Sequence, residues 1–106
     1  MLPEIVDAVG DEIEVLMDSG VRRGTDVVKA VALGAKAVLL GRAYVYPLLA
    51  AGEPGVRRIL ELFHQQIDEA LGFLGVESIQ DLDPSLLDLP SGWPERQSGR
   101  LATQAR

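Results

Sequence analysis

The stretch Asp18-Ser19-Gly20-Val21-Arg22-Arg23-Gly24-Thr25-Asp26-Val27 decides how this 106-residue chain is read. It follows Ile13 to Met17, a short apolar run containing Glu14 that reads as a strand. Asp18-Ser19-Gly20 is a turn signal. Thr25 or Asp26 then caps a helix running through Val27, Val28, Ala30, Val31 and Ala32 to Gly34. Gly20 and Gly24 permit tight turns and a close approach of backbone to ligand. Backbone amides in such a turn point at an anion, and Arg22 adds a bidentate, charge-assisted contact. A carboxylate at Asp18 would repel phosphate directly. It is better suited to accept hydrogen bonds from ribityl or sugar hydroxyls, or to orient Arg22. Arg23 reads as solvent-facing or as a salt-bridge partner.

Working outward, Ala37 to Leu40 is a second short strand, ending at Gly41-Arg42. Upstream, Pro3 opens a helix that carries Ile5, Val6 and Ala8 and stops at Gly10. Neither strand alternates cleanly, so both are expected to be buried on two faces, as parallel strands covered by helices are. The helix between them is then the crossover of a βαβ unit. Downstream, Ala43 to Ala51 reads as a short helix broken by Pro47, and Gly52-Glu53-Pro54-Gly55 as a loop. Ile59, Leu62, Phe63, Ile67, Ala70, Leu71 and Leu74 recur at spacings of three and four and predict a helix from about Val56 to Leu74, stopped by Gly75. Short helical turns are expected after Ser78 and around Ser85 to Leu87. Residues 90 to 106, rich in Gly, Pro, Ser and Arg, read as an irregular or disordered tail containing Trp93.

Composition narrows the function. There are no cysteines, which excludes a disulfide framework, thiolate metal ligands and a thiol nucleophile. Ten basic against sixteen acidic residues give a net charge of -6, which argues against non-specific nucleic-acid binding. No apolar run reaches the ~20 residues of a membrane helix. Met1-Leu2-Pro3-Glu4 lacks the pattern of a signal peptide, so the cytoplasm is the expected compartment.

Two parallel strands do not make a stable sheet alone, and their helices need more sheet to cover. An Ala/Val/Leu-rich α/β chain with a long final helix fits the end of a (β/α)8 barrel, which needs about 250 residues. The expected fold is therefore α/β: the C-terminal part of a TIM barrel, covering about the last two strands and their helices. Residues 1–89 would form this partial barrel. If the strands are the seventh and eighth, the loops at Asp18 and Gly41-Arg42 meet at the barrel's phosphate site, with the short helix near Ala43 as its extra helix. His64, the single histidine, lies on the final helix, far in sequence from the strand ends, and reads as a packing or surface residue. Tyr44 and Tyr46 read as packing residues near the site.

Residues Asp18 to Ala35, followed by Ala37-Val38-Leu39-Leu40-Gly41-Arg42, resemble the end of the FMN-dependent α-hydroxy-acid dehydrogenase/oxidase family, which includes glycolate oxidase and L-lactate dehydrogenase. The resemblance covers about residues 2 to 89. Leu89-Pro90-Ser91-Gly92-Trp93 is similar to the mycofactocin-associated branch, which modifies a peptide-derived redox cofactor. The resemblance implies FMN as the cofactor. It places Asp18, Gly20 and Arg22 at the ribityl-phosphate end and has Gly41 and Arg42 complete the phosphate site. Ser19 stands where the family usually has glycine, and with Val21 it completes the expected cofactor-binding set. The family's catalytic histidine and substrate-binding arginine precede this segment, so no catalytic residue is assigned here; neither His64 nor Lys29 matches those motifs. The chain is then expected to be catalytically incomplete alone, with the missing barrel portion, or self-association, as its partner. Two other readings stand beside this one: a segment of a different phosphate-binding barrel, such as an inosine-monophosphate-type dehydrogenase or a sugar-phosphate enzyme, and a small non-enzymatic α/β interaction module.

Overall fold

A computed structural model describes residues 1–92. The element order is α1 (Leu2–Val9), β1 (Leu16–Asp18), α2 (Gly24–Ala32), β2 (Ala37–Leu39), α3 (Arg42–Ala51) and α4 (Glu53–Leu74), followed by two short 3-10 turns at Ile79–Asp81 and Pro84–Leu86. Of the expected tail, residues 93–106, including Trp93, lie outside the described residues.

β1 and β2 pair in parallel, with Leu16 opposite Ala37, Met17 opposite Val38 and Asp18 opposite Leu39. α2 is the crossover between them, as the βαβ reading expected. Its apolar face enters the core: Val28, Ala30 and Ala32 are buried. The helix stops in a Schellman motif. The Gly34 amide donates to the Val31 carbonyl at 2.9 Å and the Ala35 amide to the Ala30 carbonyl at 3.0 Å. Gly34 takes φ +103°, and a β-carbon there would lie 2.5 Å from Val6 Cγ1. Glycine at 34 thus ends α2 and admits α1 against it.

The periodic face of α4 is as expected. Phe63 is buried and Ile67, Ala70, Leu71 and Leu74 are half-buried, while Arg57, Arg58, Glu61, Gln65, Asp68 and Glu69 are exposed. This face packs on α2, and residues 76–87 cover the seam. Leu82 completes a buried cluster with Val28 and Ala32, with Ile67, Leu71, Leu74 and Ile79 packed around it. Side chains at Ser78 and Asp83 cap the two 3-10 turns by accepting the amides of Gln80 and Ser85.

Three expectations are corrected. The strands are shorter than the apolar runs, and they are not buried on both faces. Val15 is buried and Met17 and Val38 are half-buried, but Leu16 and Leu39 on the opposite face are 54% and 53% exposed. In a closed barrel that face points inward and is filled by side chains from other strands. Second, Pro47 does not break α3, which runs through it. Third, residues 53–55 are not a loop. Pro54 sits in the first turn of α4, where its missing amide costs no helical bond, and Gly52 alone turns the chain from α3 into α4 with φ +64°. Gly55 then lets the α4 backbone close on the Pro47 carbonyl.

Candidate functional site

The register Asp18–Leu39 sends both post-strand loops off the same end of the two-stranded sheet. The Asp18–Arg22 loop and the Leu40–Arg42 connection therefore leave side by side, which brings the two halves of the expected site together.

The first loop is held by its own side chains. The Asp18 carboxylate accepts the Ser19 amide at 2.6 Å. Ser19 takes φ +78°, the left-handed region that favours glycine, and Gly20 follows at +76°. A single non-glycine residue there is tolerated when a local hydrogen bond holds it, and Asp18 supplies that bond. Val21 is 6% exposed: its side chain is a plug into the core, so only its backbone is available to a ligand. α2 then begins at Gly24, with Arg23 in the extended N-cap position. Asp26, in the third position of the helix, reaches back so that its Oδ2 accepts the amides of Arg22 at 3.0 Å and Arg23 at 3.1 Å. This is the acidic half of a capping box.

These bonds change the roles expected of two residues. Asp26 does not cap from the N-cap position, and the Arg22 and Arg23 amides are already satisfied. Gly24 does not approach a ligand. Its amide donates to Oε1 of Gln66 on α4 at 2.7 Å, and a β-carbon there would lie 2.6 Å from both Gln66 Cβ and the Phe63 carbonyl oxygen. Gly24 is glycine because α4 backbone occupies the space. The signal for Gln66 was present in the sequence: it is a polar residue on the apolar face of α4, between Phe63 and Ala70.

What remains open in the first loop is compact. The Gly20 and Val21 amides have no hydrogen bond among the described residues, and a β-carbon at Gly20 would meet nothing within 4 Å. The Arg22 guanidinium is exposed and pairs with no carboxylate among the described residues.

The second loop is built differently. Gly41 is the N-cap of α3, and no side chain caps that helix. Tyr44 and Val45 donate to the Gly41 carbonyl at 3.1 and 3.2 Å, which leaves the Arg42 and Ala43 amides without an intrahelical acceptor. The first turn holds no acidic residue and carries Arg42 instead. A cation at the positive end of a helix dipole is unfavourable by itself, and an anion bound there reverses the balance. Arg42 is exposed and unpaired among the described residues, and Gly41 faces open space.

The other candidates lie apart from this edge. His64 is exposed on α4, with Nδ1 3.5 Å from Asp68 Oδ2, as a surface residue. Tyr44 and Tyr46 are 39% and 61% exposed, so neither is packed as the sequence suggested. The described residues contain no cluster of acidic or imidazole groups able to hold a metal ion.

Residues 1–89 match the family of FMN-dependent dehydrogenases. The chain belongs to that family. It is 54% identical over 92 residues to pre-mycofactocin synthase of Mycolicibacterium smegmatis, covering 87% of this chain and 23% of that protein. It is 51% identical over 86 residues to an L-lactate dehydrogenase of Caulobacter, covering 81% and 23% respectively. Among solved structures, the monotopic membrane protein (S)-mandelate dehydrogenase superposes with a TM-score of 0.78 at 49% identity, over 83% of this chain and 23% of that one. Flavocytochrome b2 with pyruvate bound gives 0.77 at 45% identity, covering 83% and 24%. The chain thus spans about a quarter of the length of the relatives it matches. Its two strands and their helices are the C-terminal part of a TIM barrel, as the sequence indicated, and the family's cofactor is FMN. Among the described residues no helix is long and apolar enough to cross a membrane.

The groups at this end of the sheet are of the chemistry a phosphate takes. Two guanidiniums unpaired among the described residues, two open amides in the first loop and the uncapped start of α3 supply donors and positive charge.

Proposed function

We propose that this chain supplies the FMN-phosphate anchor of a flavin-dependent oxidoreductase that oxidises a 2-hydroxy acid or a related substrate, and that it is catalytically incomplete alone. The observation that carries this reading is the pairing of the two loops by register, each with a free guanidinium and open amides. Gly20 and Val21 offer amides to the phosphate from one side. Gly41, Arg42 and Ala43 offer the start of α3 from the other. Arg22 and Arg42 neutralise the dianion. Asp18 and Ser19 hold the turn, and the Asp18 carboxylate would accept hydrogen bonds from ribityl hydroxyls. A bound FMN would supply the redox chemistry.

The chain's partner in this reading is the rest of the barrel, which covers the exposed Leu16–Leu39 face and brings the proton-accepting and carboxylate-binding groups that residues 1–89 lack. Flavin fluorescence tests the reading. The purified chain, mixed with the rest of the barrel, is expected to bind FMN saturably. No binding by the chain, either alone or in the mixture, overturns it.

A further inference from the structure

Nine side-chain hydrogen bonds of the described residues join positions no more than four apart in sequence. Another spans 42 residues: the Gly24 amide donating to Gln66 Oε1 at 2.7 Å. Gly24 opens α2, so its amide is one of the donors a helix leaves without an internal partner. The helix has no side-chain N-cap of its own for that amide. A residue on α4 supplies the acceptor instead.

The cost of this arrangement is visible at both ends. Gln66 is a polar side chain on a face otherwise made of Phe63, Ile67 and Ala70, where an amide is tolerated only when hydrogen-bonded. Position 24 is restricted to glycine, because the backbone of α4 lies where a β-carbon would be. Simple packing of two helices needs neither constraint. What the pair does is fix the chain immediately after the first loop. From Gly24 backwards, Arg23 and Arg22 are tied to Asp26, Val21 is plugged into the core, and the open amides of Val21 and Gly20 come next.

We propose that Gln66 is a positioning residue for the phosphate anchor. It touches no ligand. Its carbonyl oxygen holds Gly24, and through Gly24 it sets where Arg22 and the Val21 and Gly20 amides stand relative to the start of α3. Through that one bond α4 thereby controls affinity for a phosphate monoester at the end of the sheet from which both loops leave. This rests on the loops being the phosphate anchor.

The test is a titration of the isotopically labelled chain, combined with the rest of the barrel, with inorganic phosphate, followed at the backbone amides of Gly20, Val21, Arg42 and Ala43. Two variants accompany the native sequence: Gln66→Leu, which removes the acceptor at similar volume, and Gln66→Glu, which keeps an acceptor oxygen at the same reach. Thermal unfolding of each variant monitors the fold. Saturable shifts are expected in the native chain. Gln66→Leu weakens phosphate binding roughly tenfold, the scale of one lost hydrogen bond in a half-buried place, with faster exchange at the Gly24 amide. Gln66→Glu restores most of the affinity. No shift at these four amides in the native chain overturns the anchor reading itself, and this inference falls with it. Native binding that Gln66→Leu leaves unchanged overturns the positioning role alone. So does a loss in Gln66→Leu that Gln66→Glu fails to restore.

Discussion

The two loops that leave the sheet side by side reach the same place by opposite means. The loop after β1 is over-determined: Asp18 holds Ser19, Val21 is a plug, Asp26 takes two amides, and Gln66 takes a third. The connection after β2 has no side-chain tie among the described residues and passes through Gly41 into a helix without a side-chain cap. The difference teaches how the proposed anion site would divide its labour. One side is shaped in advance by the chain's own acceptors, which leave a few donors without a partner among the described residues. The other keeps its donors unsatisfied and puts a cation where a helix favours an anion, so a bound anion would complete it.

The largest expected effect breaks the preorganised side. Gly24→Val drives a β-carbon into the α4 backbone, which cannot move away as a flexible side chain would. It is expected to destabilise the chain by about 3 kcal/mol, read by urea unfolding. A neutral result would mean that the α2–α4 seam is looser than described.

On the ligand-completed side, Arg42→Ala removes a charged hydrogen-bond donor that has no protein partner among the described residues. Its expected cost is in binding rather than in folding. FMN affinity falls by about 1.5–3 kcal/mol, roughly ten- to more than a hundredfold, while the unfolding midpoint stays put. A loss of stability with unchanged affinity would reverse the assignment of the two loops.

Asp26→Ala is intermediate. It leaves the Arg22 and Arg23 amides without their acceptor and is expected to cost about 1 kcal/mol, with faster hydrogen exchange at those two amides. Exchange unchanged at both would show that the loop is held without Asp26.

The smallest effect lies away from both loops, in the segment covering the α2–α4 seam. The Ser85 hydroxyl and amide hold the Asp83 carboxyl below the ordinary aspartate range. A carboxylate lowered on folding stabilises fully above its unfolded value, and that contribution fades as pH falls through the lowered folded value. Residues 83–87 are therefore expected to loosen at the acid end of a titration, ahead of α2 and α4. Asp83→Asn abolishes that acid dependence. Amide exchange against pH reads both.

Much of this was legible in the chain itself. The α4 stripe was readable because every third or fourth residue from Ile59 to Leu74 is apolar, a period that only one helix face satisfies. The βαβ unit was readable because Gly20 and Gly34 punctuate short apolar runs. The exposure of Leu16 and Leu39 was not, since an apolar strand residue reads alike whether it faces a helix or a barrel interior that other strands fill. The 53–55 segment was misread because Glu-Pro-Gly signals a turn in isolation, whereas Pro54 is equally at home in a first helical turn and Gly52 supplies the turn alone. At the proposed site, the residue types Gly, Arg and Asp pointed to the end of the sheet from which both loops leave. They did not separate Gly20, which faces open space, from Gly24, which faces α4. That distinction depends on a contact 42 residues away in sequence, and no local spacing contains it.

The central claim is that the two loops together hold a phosphate. The direct measurement compares FMN with riboflavin, which lacks the phosphate, by equilibrium flavin fluorescence on the chain combined with the rest of the barrel. It is made with the native sequence and with the Arg22→Ala, Arg42→Ala double variant. The account predicts that the native chain prefers FMN by at least about tenfold, on the order of one charge-assisted contact, and that the double variant binds the two flavins alike. Equal binding of both flavins by the native chain, or a preference for FMN that survives loss of both arginines, would contradict it.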